Sequence, residues 1–357
     1  YNSLVQEVAY VVVDVIEGPE FLWVDAQKIC HGIPAVLSWW QWSAYGDTWR
    51  MVDENPEIDL VDLPLYNIMC RVARRKGSRD PERAAVRHVA QRVALYHEIR
   101  EKGYDPYKER VIIVNIGPNG ELLLADGHHR VSMALHLGVS SLRVRVRDRA
   151  PAWLALKRQL RQLYRKRDPG FLYQPIEHPD FAAWTVARSS EDRLGAILGA
   201  LGPVDGCCGL DVGSCTGWFS HQLARSGARM VGVEATAPRV AIARTLSSVY
   251  RLQAQAPEFV HGTVEQYLER VTTQFDFCLL LSVLHHYVRG TPEAAGRKQG
   301  WTAERFLRLL ATRSSSLFVD MGPCAWNLKT LQAVSGYPKI DRLLSGARPL
   351  YWLRRGG

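Results

Sequence analysis

The chain has 357 residues, 47% of them apolar and 23% charged, and carries a formal net charge of +9. That length exceeds what one core ordinarily organises, so two domains are expected, and the composition excludes a disordered chain. The basic balance favours anionic partners such as phosphates, nucleotides, nucleic acid or acidic glycans, although a uniformly solvated basic surface accounts for it equally. The seven cysteines, Cys30, Cys70, Cys207, Cys208, Cys215, Cys278 and Cys324, show no CxxC spacing. Neither a disulfide framework nor a zinc site is expected, and a reducing, cytoplasmic location fits best. No apolar run approaches the ~18–20 residues of a membrane span, and no signal peptide is visible.

In chain order, "VAYVVVDVI" and "EFLWVD" read as strands rich in β-branched residues, and "WWQWSAYGDTW" reads as aromatic and irregular. Residues 81–102 have helical spacing, with Ala85, Val89, Val93 and Leu95 apolar, Pro81 in the first turn and Gly103 as a stop. "RVIIVNIGPNGELLLADG" is strand, turn, strand, with "GPNG" the hairpin signal. "HRVSMALHLG" is a short helix closed by Gly138. "SLRVRVRDR" alternates apolar and basic residues as a half-buried strand does. Residues 150–168 look like a basic amphipathic helix, broken by "DPG". The expected organisation is therefore a domain over 1–149, a basic helical linker over 150–170 and a domain over 171–357.

From Cys207 onward strands and helices alternate, from "GCCGLDVG" through "RMVGVEA", "PEFVHGTV" and "FDFCLLLSVLHH" to "SSLFVDMG". That pattern implies an α/β fold with a parallel sheet covered on both faces. Beyond "SSLFVDMG" only "ARPLYWLRRGG" offers another strand.

Two motifs carry chemistry. In "LDVGSCTGWFS", Asp211 sits near a strand's carboxyl end, and Gly213 and Gly217 let the backbone turn sharply towards a ligand. The turn is not GxGxxG, so the dinucleotide fingerprint is not met. Glu234 ends the next strand, where a carboxylate can accept hydrogen bonds from ribose hydroxyls. A tight βα turn of any α/β enzyme is the plainer reading of these glycines. His285 and His286 follow a later strand, where histidine is suited to take a proton near neutral pH or simply to satisfy buried backbone groups. In "ADGHHR", Gly127 permits a bend from strand to helix, and His129 and Arg130 lie at a helix start that favours an anion. Adjacent histidines rarely converge, so no metal site is expected there. The plainer reading is a capped helix with a solvated basic start.

The order "LDVGSCTGWFS…MVGVEA…EFVHGTVEQYL…FDFCLLLSVLHHY" resembles class I S-adenosylmethionine-dependent methyltransferases over roughly residues 170–357. The resemblance implies a Rossmann-like domain with Asp211, Gly213 and Ser214 around the methionine moiety, Gly217 also in the cofactor site, and Glu234 on the ribose. It also implies Thr263, Val264 and Glu265 beside the adenine, and Leu281 and Ser282 as the floor. With "YQPIEHP" and "SSEDR", the chain is similar to the methyltransferase part of kinase–methyltransferases that cap O-antigen polysaccharides. That likeness adds Tyr173, Gln174 and Arg193 as cofactor contacts. By the family pattern one of the usual seven strands is expected to be missing or atypical.

The segment around "VNIGPNGELLLADGHHR" is similar to ParB/sulfiredoxin-like domains over roughly residues 94–149, with "EFLWVDAQKI" as their opening strand. This implies an α+β nucleotide-binding domain in which Gly127, His128, His129 and Arg130 cradle phosphates of ATP or CTP with Mg2+. His128 stands where sulfiredoxins carry a catalytic cysteine, which excludes that activity. No helix-turn-helix is evident, which argues against plasmid partition. Kinase chemistry would use Asp126 as base or magnesium ligand, and "ENPEID" is the acidic stretch nearest to a second carboxylate or a plain loop.

The expected function is methyl transfer to an oxygen or phosphate of a glycan or small molecule, with His285 or His286 as base for a hydroxyl acceptor. The alternatives are a nucleic-acid methyltransferase, with the basic front domain and helix gripping phosphates and Trp39, Trp40 and Trp42 stacking on bases, although core or lid residues are the plainer reading of these tryptophans, and a nucleotide-sensing binding module. No N/D-P-P-Y/F-type tetrapeptide stands near 282–286, which argues against base N-methylation.

Overall fold

A computed structural model describes residues 18–30, 39–107, 110–168, 170–188, 190–250, 252, 255–289, 302–320 and 326–355. "VAYVVVDVI" and the side chains of Trp39, Trp40 and Trp42 lie outside the described residues. The chain divides into two units, one of residues 1–157 with 177–183 and one of residues 158–176 with 184–357.

The first unit contains β1 (Phe21–Asp25), β2 (Ile29–Cys30), α1 (Trp39–Glu54), α2 (Pro64–Arg75) and α3 (Pro81–Lys102). These are followed by β3 (Ile112–Ile116), β4 (Leu122–Asp126), α4 (His128–His136) and β5 (Ser141–Arg149). The strands form one mixed sheet in the order β1-β5-β3-β4-β2. Alternation decides its faces: Leu142, Val144 and Val146 of β5 are buried while the residues between them are not. The irregular reading of "WWQWSAYGDTW" is corrected, because this stretch opens α1. Tyr45, Trp49 and Val52 fall at helical spacing and are buried with Leu65, Val89 and Tyr96 in one cluster. The helix expected over 81–102 is α3; Asp80 caps its start and Gly103, at φ 83°, follows its end.

The helix α5 (Pro151–Leu163) stops five residues short of the expected end, and the unit boundary falls inside it. Its part within the first unit carries a buried ion pair. Lys157 and Trp153 are fully buried, donating to Asp180 at 2.9 and 2.8 Å, and Arg149 donates to the same carboxylate at 2.7 Å. Lys157 is thereby committed to an internal ion pair, which removes it from the cations that could hold nucleic acid.

The second unit adds the short pair β6 (Phe171–Leu172) and β7 (Thr185–Val186), then α6 (Glu191–Leu201), β8 (Cys208–Val212), α7 (Trp218–Arg225), β9 (Arg229–Glu234) and α8 (Ala237–Val249). It continues with β10 (Glu258–His261), α9 (Val264–Arg270), β11 (Phe275–Leu280), α10 (Leu284–Arg289), α11 (Ala303–Arg313), β12 (Ser314–Asp320), α12 (Leu328–Ser335), β13 (Lys339–Leu344) and β14 (Leu350–Arg354). The sheet has seven strands in the order β10-β9-β8-β11-β12-β14-β13, so the expected missing strand is present as β13. Its burial is partial or absent along its length, the pattern of an edge strand, and the sequence therefore lacks an apolar run there. β10 to β12 run parallel, β14 is antiparallel to β12, and β13 is antiparallel to β14. Two apolar clusters, one around Leu210, Phe306 and Leu317 and one around Phe219, Phe277 and Phe318, bury the sheet. The run "FDFCLLLSVLHH" is not strand throughout: β11 ends at Leu280, and His285 and His286 belong to the short helix α10.

Candidate active site

In the seven-stranded sheet, β9 and β10 lie to one side of β8 and β11 and β12 to the other, so the strand order reverses between β8 and β11. Open α/β sheets bind ligands at such a switch point, beyond the carboxyl ends of the strands. A cleft of about 190 Å³ lies there, between Asp211 and Gly213 after β8 and Leu281 and Ser282 after β11. Tyr173, Gln174 and Arg193 also line it, so the structure brings together seven of the residues proposed from sequence for the cofactor.

The turn after β8 is built from backbone hydrogen bonds and two buried acids. Gly213 and Gly217 adopt φ of 70° and 83°, and a Cβ at Gly217 would run into the Phe259 ring. Gly213 donates its N–H to the Val233 carbonyl at 2.8 Å, which ties the turn to β9. Asp211 accepts a 2.7 Å bond from the Ser220 hydroxyl, and burial together with the charge of Glu234 pushes its carboxyl up to about 6. Glu234 accepts from the Cys215 N–H at 3.1 Å and the Thr236 N–H at 2.9 Å, with Arg239 at 3.5 Å. Glu234 thus stands behind the turn and is not part of the cleft lining.

Three described non-glycine residues have left-handed backbones, Ser190 (φ 62°), Cys215 (φ 56°) and Ser282 (φ 60°). All three line this cleft. Such conformations are unfavourable for residues with a Cβ and persist where the surroundings impose them, characteristically at functional sites. The cleft also holds a charge network that the sequence did not announce. Asp320, fully buried at the end of β12, accepts from Arg193 Nε at 3.0 Å and from Arg348 Nε at 3.2 Å. Asp320 had a weak signal, an acid closing the apolar run "SLFV". Arg348 had none, since only folding brings the loop between β13 and β14 to this place.

The other proposed residues lie outside the cleft lining. Ser214, nearly fully buried, keeps its hydroxyl without a protein partner. Thr263 accepts the Gln266 N–H at 3.3 Å and so serves as the cap of α9. Val264 is buried in the core, and Glu265 is buried with one oxygen accepting from the Tyr287 hydroxyl at 2.9 Å and the other unpartnered. The ring centres of His285 and His286 lie 4.0 Å apart, with the rings tilted by 37°. Burial, then the neighbouring His286, hold the His285 imidazole below its ordinary range, and its Nδ1 has no partner.

In the first unit, Gly127 (φ 99°) makes the bend from β4 into α4. Its N–H donates to Asp126 at 2.8 Å, and the Asp126 side chain is 67% exposed. Arg130 is buried beneath the turn, 4.0 Å from Asp126. His129 sits edge-on to Tyr45 at 5.0 Å. Burial, followed by the charges of Arg92, His88, His128 and Arg130, pushes its imidazole down to about 3. Arg92 and His88 on α3 are additions that the motif did not contain. Among the described residues no group of three or more His, Cys, Asp or Glu is placed to hold a metal ion, and no helix is long and apolar enough to cross a membrane.

No curated protein matches the chain. Among solved structures it is similar to the bifunctional kinase-methyltransferase WbdD, at 24% identity and a TM-score of 0.42 over 55% of this chain and 46% of that one. It is also similar to magnesium protoporphyrin IX methyltransferase (ChlM) from Synechocystis with bound SAM, at 19% identity and a TM-score of 0.37 over 46% of this chain and 77% of that one. The chain thus spans about half the length of the WbdD structures. Residues 210–298, which run from Asp211 and the glycine turn through Glu234 to the His285–His286 pair, match the family model of a methyltransferase domain.

Proposed function

We propose that the second unit is an S-adenosylmethionine-dependent methyltransferase whose acceptor is an oxygen or phosphate of a glycan or small molecule. The observation that most supports this reading is the turn after β8. Buried carboxylates stand at the carboxyl ends of two adjacent parallel strands, Asp211 one residue before the end of β8 and Glu234 closing β9, beside a glycine loop at the switch point and within the span matching a methyltransferase domain. In this reading Asp211, Gly213, Ser214, Tyr173, Gln174 and Arg193 surround the methionine moiety, with Gly217 opening the helix behind them. Glu234 takes the ribose hydroxyls, Thr263, Val264 and Glu265 flank the adenine, and Leu281 and Ser282 form the floor.

The residues present fit the group. Ser214 Oγ and one Glu265 oxygen are buried without a protein partner, and a buried polar atom left so costs about 1–3 kcal/mol unless a ligand or water meets it. The bound cofactor supplies a methyl on a sulfonium. The chain supplies alignment and exclusion of water, and for a hydroxyl acceptor a base. His285, held neutral at pH 7, is able to take that proton. A phosphate acceptor is already anionic and needs none. S-Adenosylhomocysteine should raise the melting temperature and bind in calorimetry, and the absence of both responses would overturn the proposal. If His285→Ala and His286→Ala each leave turnover intact, neither is the base.

The first unit, in the same proposal, is a ParB/sulfiredoxin-like domain that binds the phosphates of ATP or CTP with Mg2+ at Gly127, His128, His129 and Arg130. The cationic surroundings of the α4 start support this, with Arg92 added from α3. Asp126, exposed beside the turn, is the base if the phosphate is transferred and not merely held. A melting shift with ATP or CTP that is lost in Arg92→Ala and in Arg130→Ala is expected. A shift unchanged by both would place the nucleotide elsewhere.

A further inference from the structure

We infer that Arg348, carried by the loop between β13 and β14, is the positioning residue that holds Ser282 in its left-handed conformation at the floor of the cleft. The inference rests on the cofactor reading above. Ser282 is where the chain leaves β11 and turns towards α10, so its φ of 60° sets both the floor and the start of the helix carrying His285 and His286. A serine does not adopt that conformation by preference, and something must hold it.

The holding group is visible. Arg348 Nη2 donates to the Ser282 hydroxyl oxygen and to Asp320, while its Nε donates to the other Asp320 oxygen at 3.2 Å. Asp320 is fully buried and is therefore a fixed anchor, further secured by Arg193 at 3.0 Å. Arg193 Nη2 in turn donates to the Arg348 carbonyl at 2.9 Å, so the loop is held from two sides. The planar, forked guanidinium meets a carboxylate and a hydroxyl in one fixed geometry, which an ammonium on a flexible stem does not impose. Ser282, Arg193, Asp320 and Arg348 line the cleft together with Asp211 and Gly213, whereas Glu234 and residues 263–265 do not. The network therefore belongs to the half of the site that takes the methionine moiety, and its loss should spare the adenosine half.

The test is calorimetric titration of the full chain with S-adenosylhomocysteine and, separately, with adenosine. Arg348→Ala should weaken S-adenosylhomocysteine by about tenfold or more, the scale of one charge-assisted hydrogen bond, and leave adenosine unchanged. In a Ser282→Gly background, where glycine adopts the left-handed conformation unaided, Arg348→Ala should cost no further affinity. If Arg348→Ala does not fold, Arg348→Lys, which keeps the positive charge beside Asp320, should show the same selective loss. Equal loss of both ligands, or loss that persists in the glycine background, would overturn the inference and leave the cofactor reading standing. If the unaltered chain binds no S-adenosylhomocysteine, the cofactor reading falls and this inference falls with it.

Discussion

The molecule uses one backbone device twice. In each unit an acid stands at or next to a strand's carboxyl end, a left-handed glycine makes the bend, and a helix follows: Asp126, Gly127 and α4 in the first, Asp211, Gly213–Gly217 and α7 in the second. The surroundings differ in sign. Around His129, next to this bend, stand Arg130 and Arg92, and the acid beside the glycine is exposed. Around Gly213 stand the buried acids Asp211 and Glu234. A helix start by itself welcomes an anion in both places. What differs is the charge that the rest of the fold places behind it, and a glycine turn therefore reads as a ligand site only together with its neighbours.

The sharpest way to separate the two turns is to fill them. Gly217→Ala puts a Cβ into the Phe259 ring at a positive φ and should cost about 3 kcal/mol or more, read as a shift in the urea midpoint. Gly127→Ala is also strained at φ 99°, but its nearest contact, Ile112, lies 3.1 Å away, so about 1–2 kcal/mol is expected. Equal costs would mean that packing behind the glycines does not distinguish the turns.

Acid should act on His129 and Asp211 with opposite signs, each read as the difference between the unaltered chain and its variant, because His221 in the second unit, pushed down to about 4 by burial, opposes Asp211. His129 is held neutral near 3 in the folded state and protonates near 6.5 when unfolded, so the unfolded chain binds more protons below pH 6.5 and stability falls as the pH is lowered. Between pH 7 and 5 that amounts to about 2 kcal/mol, and His129→Gln should remove it. Asp211 has its folded value raised to about 6, so the folded state binds the proton first and gains about 1 kcal/mol over the same interval. Asp211→Asn should abolish that gain. Unfolding of the unaltered chain and of each variant at the two pH values checks both signs.

The smallest expected effect concerns salt. Nucleotide binding at the basic turn should weaken by several-fold between 50 and 200 mM salt, because Arg92 is only partly buried and its charge is screened over about 10 Å. S-Adenosylhomocysteine, held among buried groups, should respond little. A common salt dependence would erase the electrostatic contrast.

Much of this was legible beforehand for local reasons. Strand and helix periodicity marked β3, β4, α3 and β5, and the parallel core strands, because alternation and helical spacing are properties of neighbouring residues. The same locality explains the misses. α1 was hidden because its aromatic residues suggest irregularity until Tyr45, Trp49 and Val52 are seen to share a face. β13 was hidden because an edge strand buries little. At the site, Asp211, Gly213 and Glu234 stood out through their places at strand ends, whereas Cys215 and Ser190 offered no signal, since their left-handed backbones answer to the cleft around them.

The sequence by itself determined the alternation of elements, the two strand–glycine–helix turns and the acids at the strand ends, all of which depend on residues within a few positions of one another. Only the tertiary structure decided that Lys157 turns inward to Asp180, that Arg92 stands behind the first turn, and that Arg348 meets Ser282 and Asp320. The physical reason is range. Backbone preference acts between neighbours, while the pairing of buried charges depends on which distant segments the core brings together, and burial then makes that pairing obligatory.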